Sequence, residues 1–164
     1  MPNFPSKIHY RLKYGIRIYT NVLKEQERLR FLRDLSQYLR KVVNSDRIFP
    51  GLQTRTDLHT QLSPENYFTL LKLMKRCGFK DVSSSWVYYS GANYPDNGWH
   101  THKAKLTSIY YMENPEGFGT MFKHKGEEFQ IDVPTNTLMV FPGNIEHSSP
   151  SGVTVPRYSF VFDD

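Results

Sequence analysis

The chain reads as an α+β protein that is mainly β, with two helices followed by a run of short strands. Three observations carry this expectation. Apolar residues recur at helical spacing only within the first 80 residues, the pattern switches to that of strands after Asp81, and turn residues then interrupt the chain at short intervals. That order suits a sandwich or barrel of jelly-roll type backed by N-terminal helices. A length of 164 residues allows a single domain with a full core. Within it, residues 1–80 read as helical N-terminal support and residues 81–164 as the jelly-roll core that carries the site.

The elements follow in order. Ile8 to Leu12 alternates weakly, with His9 between Ile8 and Tyr10, and Ile16 to Tyr19 reads as a second short strand. Thr20 or Asn21 can cap a helix over Val22 to Val43, in which Leu32, Leu35, Leu39 and Val42 recur among Arg28, Arg30, Arg33 and Arg40. Residues 44–62 read as irregular. Ser63 as N-cap, Pro64 in the first turn and Gly78 after Cys77 bracket a second helix. Its stripe of Tyr67, Leu70, Leu71 and Met74, continued by Cys77, is expected to be buried. Six strands are then predicted: Ser84 to Ser90, Leu106 to Met112, Gly119 to Lys123, Glu128 to Val133, Thr137 to Phe141 and Arg157 to Phe162. Turn residues separate them, among them Asn114-Pro115-Glu116-Gly117, Lys125-Gly126 and Pro142-Gly143-Asn144.

The net charge of +5 conceals an asymmetry. Residues 1–80 hold 16 Lys and Arg against 6 Asp and Glu, whereas residues 81–164 hold 5 against 10. A basic front half reads either as solvated helix faces or as attraction for a nucleic acid or another acidic partner. Cys77 is the only cysteine, so no intrachain disulfide can form. The first residues lack the apolar core of a signal peptide, and no apolar run approaches the ~18 residues of a membrane span. A cytoplasmic protein with no membrane partner is the expectation.

Chemistry concentrates in Trp99-His100-Thr101-His102, followed 45 residues later by His147 and ten after that by Arg157. On a strand, residues two apart share a face, so His100 and His102 can offer two imidazoles to one ion, and a later strand can deliver His147 as the third. Three nitrogen ligands with open positions suit a catalytic metal. The competing reading makes the three histidines ordinary hydrogen-bonding residues. Arg157 and Ser159 also share a face, offering a planar fork and a hydroxyl to a carboxylate. The alternative for Arg157 is an internal salt bridge to Asp132 or Glu146. His9, His59 and His124 read as surface or satisfied core residues, with His59 placed to border a substrate mouth.

The residues from Trp86 to Phe122, then Phe129 to Pro150 and Pro156 to Phe162, resemble the iron(II)- and 2-oxoglutarate-dependent dioxygenase superfamily. The likeness is to small bacterial and phage members whose first motif is His-x-His. It rests on the ordered set His100-Thr101-His102, Tyr110-Tyr111, a glycine-containing hairpin, Phe141-Pro142-Gly143, His147 and Arg157-Tyr158-Ser159. The resemblance implies a double-stranded β-helix with iron at one mouth. It assigns His100 and His147 as ligands, Arg157 with Ser159 to the distal carboxylate of the cosubstrate 2-oxoglutarate, and the Tyr111 phenol to the same carboxylate, with Tyr88 nearby. It further implies hydroxylation of an unidentified substrate as 2-oxoglutarate is decarboxylated to succinate and CO2.

One position departs from the pattern. Most relatives carry Asp or Glu two residues after the first histidine, where this chain has His102. His102 is taken as the third metal ligand in its place, and Asp96 is the nearest carboxylate that could swing in. Two other readings remain. A cupin-like three-histidine metal dioxygenase would need no 2-oxoglutarate, but Lys103 to Thr107 lack the Glu that typical cupins place there. A non-catalytic nucleic-acid-binding module would use the basic helices and leave the His147 and Arg157 spacing unexplained. Base-demethylating relatives have a second arginine after the last motif, and Phe160 to Asp164 contain none, so nucleic acid is not favoured. A small molecule or a peptide is the expected substrate class, with Trp86, Tyr94 and Trp99 available to line its pocket.

Overall fold

The structure, a computed structural model, describes residues 9–40, 52–91 and 98–164. Val42, Tyr94 and Asp96 lie outside the described residues. In chain order the elements are β1 (His9–Arg11), β2 (Arg17–Thr20), α1 (Glu25–Arg40), β3 (Leu52–Gln53), α2 (Pro64–Cys77), β4 (Ser84–Ser90), β5 (Leu106–Glu113), β6 (Thr120–His124), β7 (Glu127–Ile131), β8 (Thr137–Pro142), β9 (Glu146–Ser148) and β10 (Arg157–Asp163). The seven-stranded sheet runs β1-β2-β8-β5-β10-β4-β3 and the smaller sheet β7-β6-β9. Every pairing within these two sheets is antiparallel. The mainly-β jelly-roll architecture backed by helices is the one expected from the sequence.

The signals at the ends of α2 act as predicted. The Ser63 hydroxyl accepts the Asn66 amide at 3.3 Å, and Gly78 closes the helix in the left-handed region at φ +78°. The buried face includes Leu70, Met74 and Cys77 as predicted but is turned away from Tyr67 and Leu71. Asn66, Thr69, Leu70, Leu73, Met74 and Cys77 point inward, while Tyr67 and Leu71 are exposed. These six residues follow the i, i+3, i+4, i+7, i+8, i+11 pattern of one helical face. The apolar reading missed part of that face because Asn66 and Thr69 are polar. Asn66 is held there by donating to Asp34 of α1 at 2.9 Å.

Helix α1 starts three residues later than predicted. Asn136 explains why: its side chain accepts from the Leu23 amide and donates to the Leu23 carbonyl, pinning the incoming chain before it can turn. Phe31, Leu35 and Leu39 are buried on α1, and Arg28 joins them. The Arg28 guanidinium grips Glu25 and donates to the Met112 carbonyl at 2.8 Å. Lys72 pairs with Glu27 and Arg33 with Asp34, so part of the basic excess is neutralised within the helical layer. The segment read as irregular supplies β3, which pairs with β4, and a helical turn at Leu58–Thr60.

Two cores lie on opposite sides of the large sheet. Helices α1 and α2 cover one side, where Phe31 meets Phe160 edge-on at 5.2 Å and Phe79 meets Phe162 at 5.4 Å. On the other side Ile109, Tyr111, Met139, Phe141 and Val161 pack with Phe122 of the small sheet. Strand β10 lies between β5 and β4 and feeds both cores. Among the described residues, no helix is long and apolar enough to cross a membrane.

Candidate metal centre

His100 and His102 do not lie on a regular strand, as expected, but on a short extended segment laid against β9. His100 and His147 exchange backbone hydrogen bonds at 3.1 and 3.0 Å, and the His102 amide donates to the Gly143 carbonyl at 2.7 Å. The ladder stops there because the Gly143 amide donates to the Lys105 carbonyl, curling the chain around this glycine. A Cβ at position 143 would stand 2.2 Å from the Ala104 carbonyl oxygen, so only glycine admits the approach. The Pro142-Gly143 turn thus places the first two histidines beside the third.

Each imidazole has one nitrogen already committed. Nδ1 of His100 donates to the Gly98 carbonyl at 2.8 Å and Nδ1 of His147 to the Ile145 carbonyl at 2.9 Å. Nδ1 of His102 faces both carboxylate oxygens of Asp163, at 3.0 and 2.9 Å. With hydrogen on Nδ1, a neutral imidazole presents a bare lone pair at Nε2. The Nε2 atoms of His102 and His147 lie 3.2 Å apart, and ligand atoms of all three rings fall within 4.8 Å of one another. Two nitrogens about 2.0–2.1 Å from one ion are separated by roughly 2.8–3.4 Å at octahedral to tetrahedral angles. The His102 and His147 nitrogens have the spacing of two ligands on one first-row metal, with His100 beside them as the candidate third ligand. Burial, reinforced by the neighbouring His100, pushes the His147 imidazole down to about 3, and burial lowers His100 as well. Both rings are held neutral, as metal ligation requires.

A second cluster of polar groups lies on the large sheet. Arg157 is 4% exposed, and its guanidinium donates to the Phe118 and Gly119 carbonyls at 2.8 and 3.1 Å. Its Nε and the Ser159 hydroxyl are buried without a hydrogen-bond partner among the described residues. Among the described residues Arg157 has no carboxylate within salt-bridge distance. Asp132 instead binds the Gly119 amide and Gln130, and Glu146 is exposed, so the internal salt bridge is not formed. The guanidinium lies 5.4 Å from the centre of the Tyr111 ring, and Tyr88 is close enough to favour its charge. Burial pushes the Tyr111 phenol up, so it remains an O–H group, hydrogen-bonded to Thr120.

Both clusters open into one cavity of about 600 Å³, whose wall includes the three histidines, Arg157, Ser159 and Tyr88. Tyr111 stands behind that wall, reaching it through Thr120 and Arg157. Trp86, Trp99 and Lys103 also line the cavity. Trp86 is stacked on His102 at 5.5 Å, and Lys123 covers the Trp99 ring at 5.3 Å. His59 bonds Ser85 through backbone and ring and is absent from this wall, and His124 packs edge-on against Tyr14.

Asp163 is the site residue that the sequence reading missed. It is buried, accepts from Thr107 at 2.7 Å and Ser84 at 3.1 Å, and faces His102. A signal existed: counting by two along β10 from Arg157 reaches Ser159, Val161 and then Asp163.

No sequence-family model and no curated protein sequence matches the chain. Solved structures do. HygX from Streptomyces hygroscopicus, with nickel and 2-oxoglutarate bound, aligns with a TM-score of 0.69 at 11% identity, covering 91% of this chain and 82% of its own. A Pseudomonas putida prolyl-4-hydroxylase aligns at 0.67 and 14% identity, covering 92% and 93%. A Trichoplax adhaerens prolyl hydroxylase, in complex with a peptide fragment of the hypoxia-inducible factor oxygen degradation domain, aligns at 0.64 and 17%, covering 93% and 84%. The chain has the fold of the 2-oxoglutarate oxygenases. At these identities the likeness speaks for the architecture, and the chemistry is argued from the side chains.

Proposed function

We propose that this protein is an iron(II)- and 2-oxoglutarate-dependent oxygenase that hydroxylates a small molecule or a peptide side chain and releases succinate and CO2. One observation carries the reading. Among the described residues, a buried arginine with no carboxylate partner and an unpartnered serine hydroxyl share a cavity with three clustered imidazoles. A buried unpaired cation is costly, and a dicarboxylate with one end on Arg157 and the other at the histidines removes that cost. This pairing favours the reading over a three-histidine centre that uses no 2-oxoglutarate.

His100, His102 and His147 would hold the iron through Nε2. Arg157 and Ser159 would hold the distal carboxylate, with Tyr88 lining the same wall and Tyr111 supporting Arg157 from behind it. When bound, iron with its cosubstrate supplies the oxidising power drawn from dioxygen. The protein contributes orientation and exclusion of water: Ile109 and Val161 form an apolar stretch of wall between the histidines and Arg157. Trp86 and Trp99 near the mouth give a substrate flat apolar contact surfaces.

Anaerobic titration with iron(II) and then 2-oxoglutarate tests this reading. A visible charge-transfer band that appears only with both, together with succinate release in air, is the expected result. Iron binding with no band and no succinate would overturn the 2-oxoglutarate assignment.

A further inference from the structure

The three imidazoles are not held alike. His100 and His147 each donate Nδ1–H to a neutral backbone carbonyl, whereas His102 donates to a carboxylate. Asp163 is itself fixed, with the Thr107 hydroxyl on one oxygen and the Ser84 hydroxyl on the other. The strand register explains the clasp, because Asp163 pairs with Thr107 of β5 and with Ser84 of β4. Three donors converge on two buried carboxylate oxygens, so both oxygens serve as acceptors.

We infer that Asp163 is a positioning residue that supplies, through His102, the negative charge a carboxylate ligand would otherwise bring to the metal. The inference rests on the proposed metal centre. A neutral imidazole at position 102 brings the ion no negative charge, and leaves it one charge more positive than a carboxylate ligand would. A carboxylate on the far nitrogen of that imidazole returns the charge one ring further out. It also fixes the Nδ1–H tautomer, turns Nε2 toward His147 and makes the ring a stronger donor. Trp86 stacked on the same ring prevents it from rotating away. The clasp is a property of the sheet, since Ser84, Asp163 and Thr107 form one cross-strand row on the face that carries Arg157.

The test compares wild type with Asp163→Asn and Asp163→Ala in anaerobic cobalt(II) titrations, following affinity and the ligand-field spectrum of the bound ion. Asp163→Asn keeps an acceptor for Nδ1–H but removes the charge, so affinity should fall about tenfold or more with a shifted spectrum. Asp163→Ala should fall further, and Thr107→Val, which loosens one carboxylate oxygen, should fall least. Binding by Asp163→Asn within twofold of wild type, with the same spectrum, would overturn the inference. Where a variant does not fold, nitrogen-15 NMR of the metal-free wild type decides: His102 should show the Nδ1–H tautomer, and a Nε2–H ring would refute the clasp. Wild type that binds no cobalt would overturn the metal centre itself, an outcome distinct from equal binding by wild type and Asp163→Asn.

Discussion

The two faces of β10 show how differently one strand can use alternate residues. Tyr158, Phe160 and Phe162 face the helices, where Phe160 and Phe162 are fully buried among aromatic and aliphatic neighbours. Arg157, Ser159, Val161 and Asp163 face the cavity, and three of the four are polar or charged. Apart from the half-buried Tyr158, both rows are almost completely removed from water. The helix side gains from close apolar packing, while the cavity side holds polar groups of which two lack a partner. The strand is thus anchored from one side so that it can hold costly groups on the other.

Substitutions on each side should separate stability from binding. Phe160→Ala should cost the most stability, about 3–5 kcal/mol in denaturant unfolding, because it empties a packed aromatic site. Arg157→Ala should leave the metal-free fold intact and weaken 2-oxoglutarate binding by more than about tenfold, since truncating one partner of a buried charged pair costs 2–5 kcal/mol. Calorimetric titration of the metal-loaded protein checks this. Arg157→Lys should recover only part of the affinity, because an ammonium lacks the two-pronged geometry.

Acidification should also distinguish the two faces. His147 and His100 have folded-state values below the ordinary histidine value, so the unfolded chain takes up protons first as pH falls. Metal-free stability should be full above roughly pH 6.5 and decline toward pH 3, by up to about 1.4 kcal/mol per pH unit for His147. Unfolding midpoints across that range should show a shallower slope in His147→Gln. Identical slopes would mean that this imidazole is not buried in its neutral form. The smallest effect is expected away from β10: Phe68→Ser, on the exposed face of α2, should change stability by no more than about 0.5 kcal/mol.

Much of the fold was legible because it depends on local signals. The caps of α2, the turn residues and the β-branched and aromatic runs of β4, β5, β8 and β10 are encoded in adjacent residues, and the observed elements follow them closely. The buried face of α2 was legible only in part: Leu70, Met74 and Cys77 were named, whereas Asn66 is buried by its bond to Asp34, 32 residues away. The site divides in the same way. His100, His102, His147, Arg157, Ser159 and Tyr111 could be named from residue type, spacing and resemblance to a known family. Only the tertiary structure brings the Nε2 atoms of His102 and His147 to 3.2 Å and leaves Arg157 without a carboxylate among the described residues. Only it places Asp163 against His102 across a separation of 61 residues. Sequence spacing determines which face of a strand a side chain occupies. The register between strands determines what that side chain meets, and here it sets Asp163 between Thr107 and Ser84, facing the ring of His102.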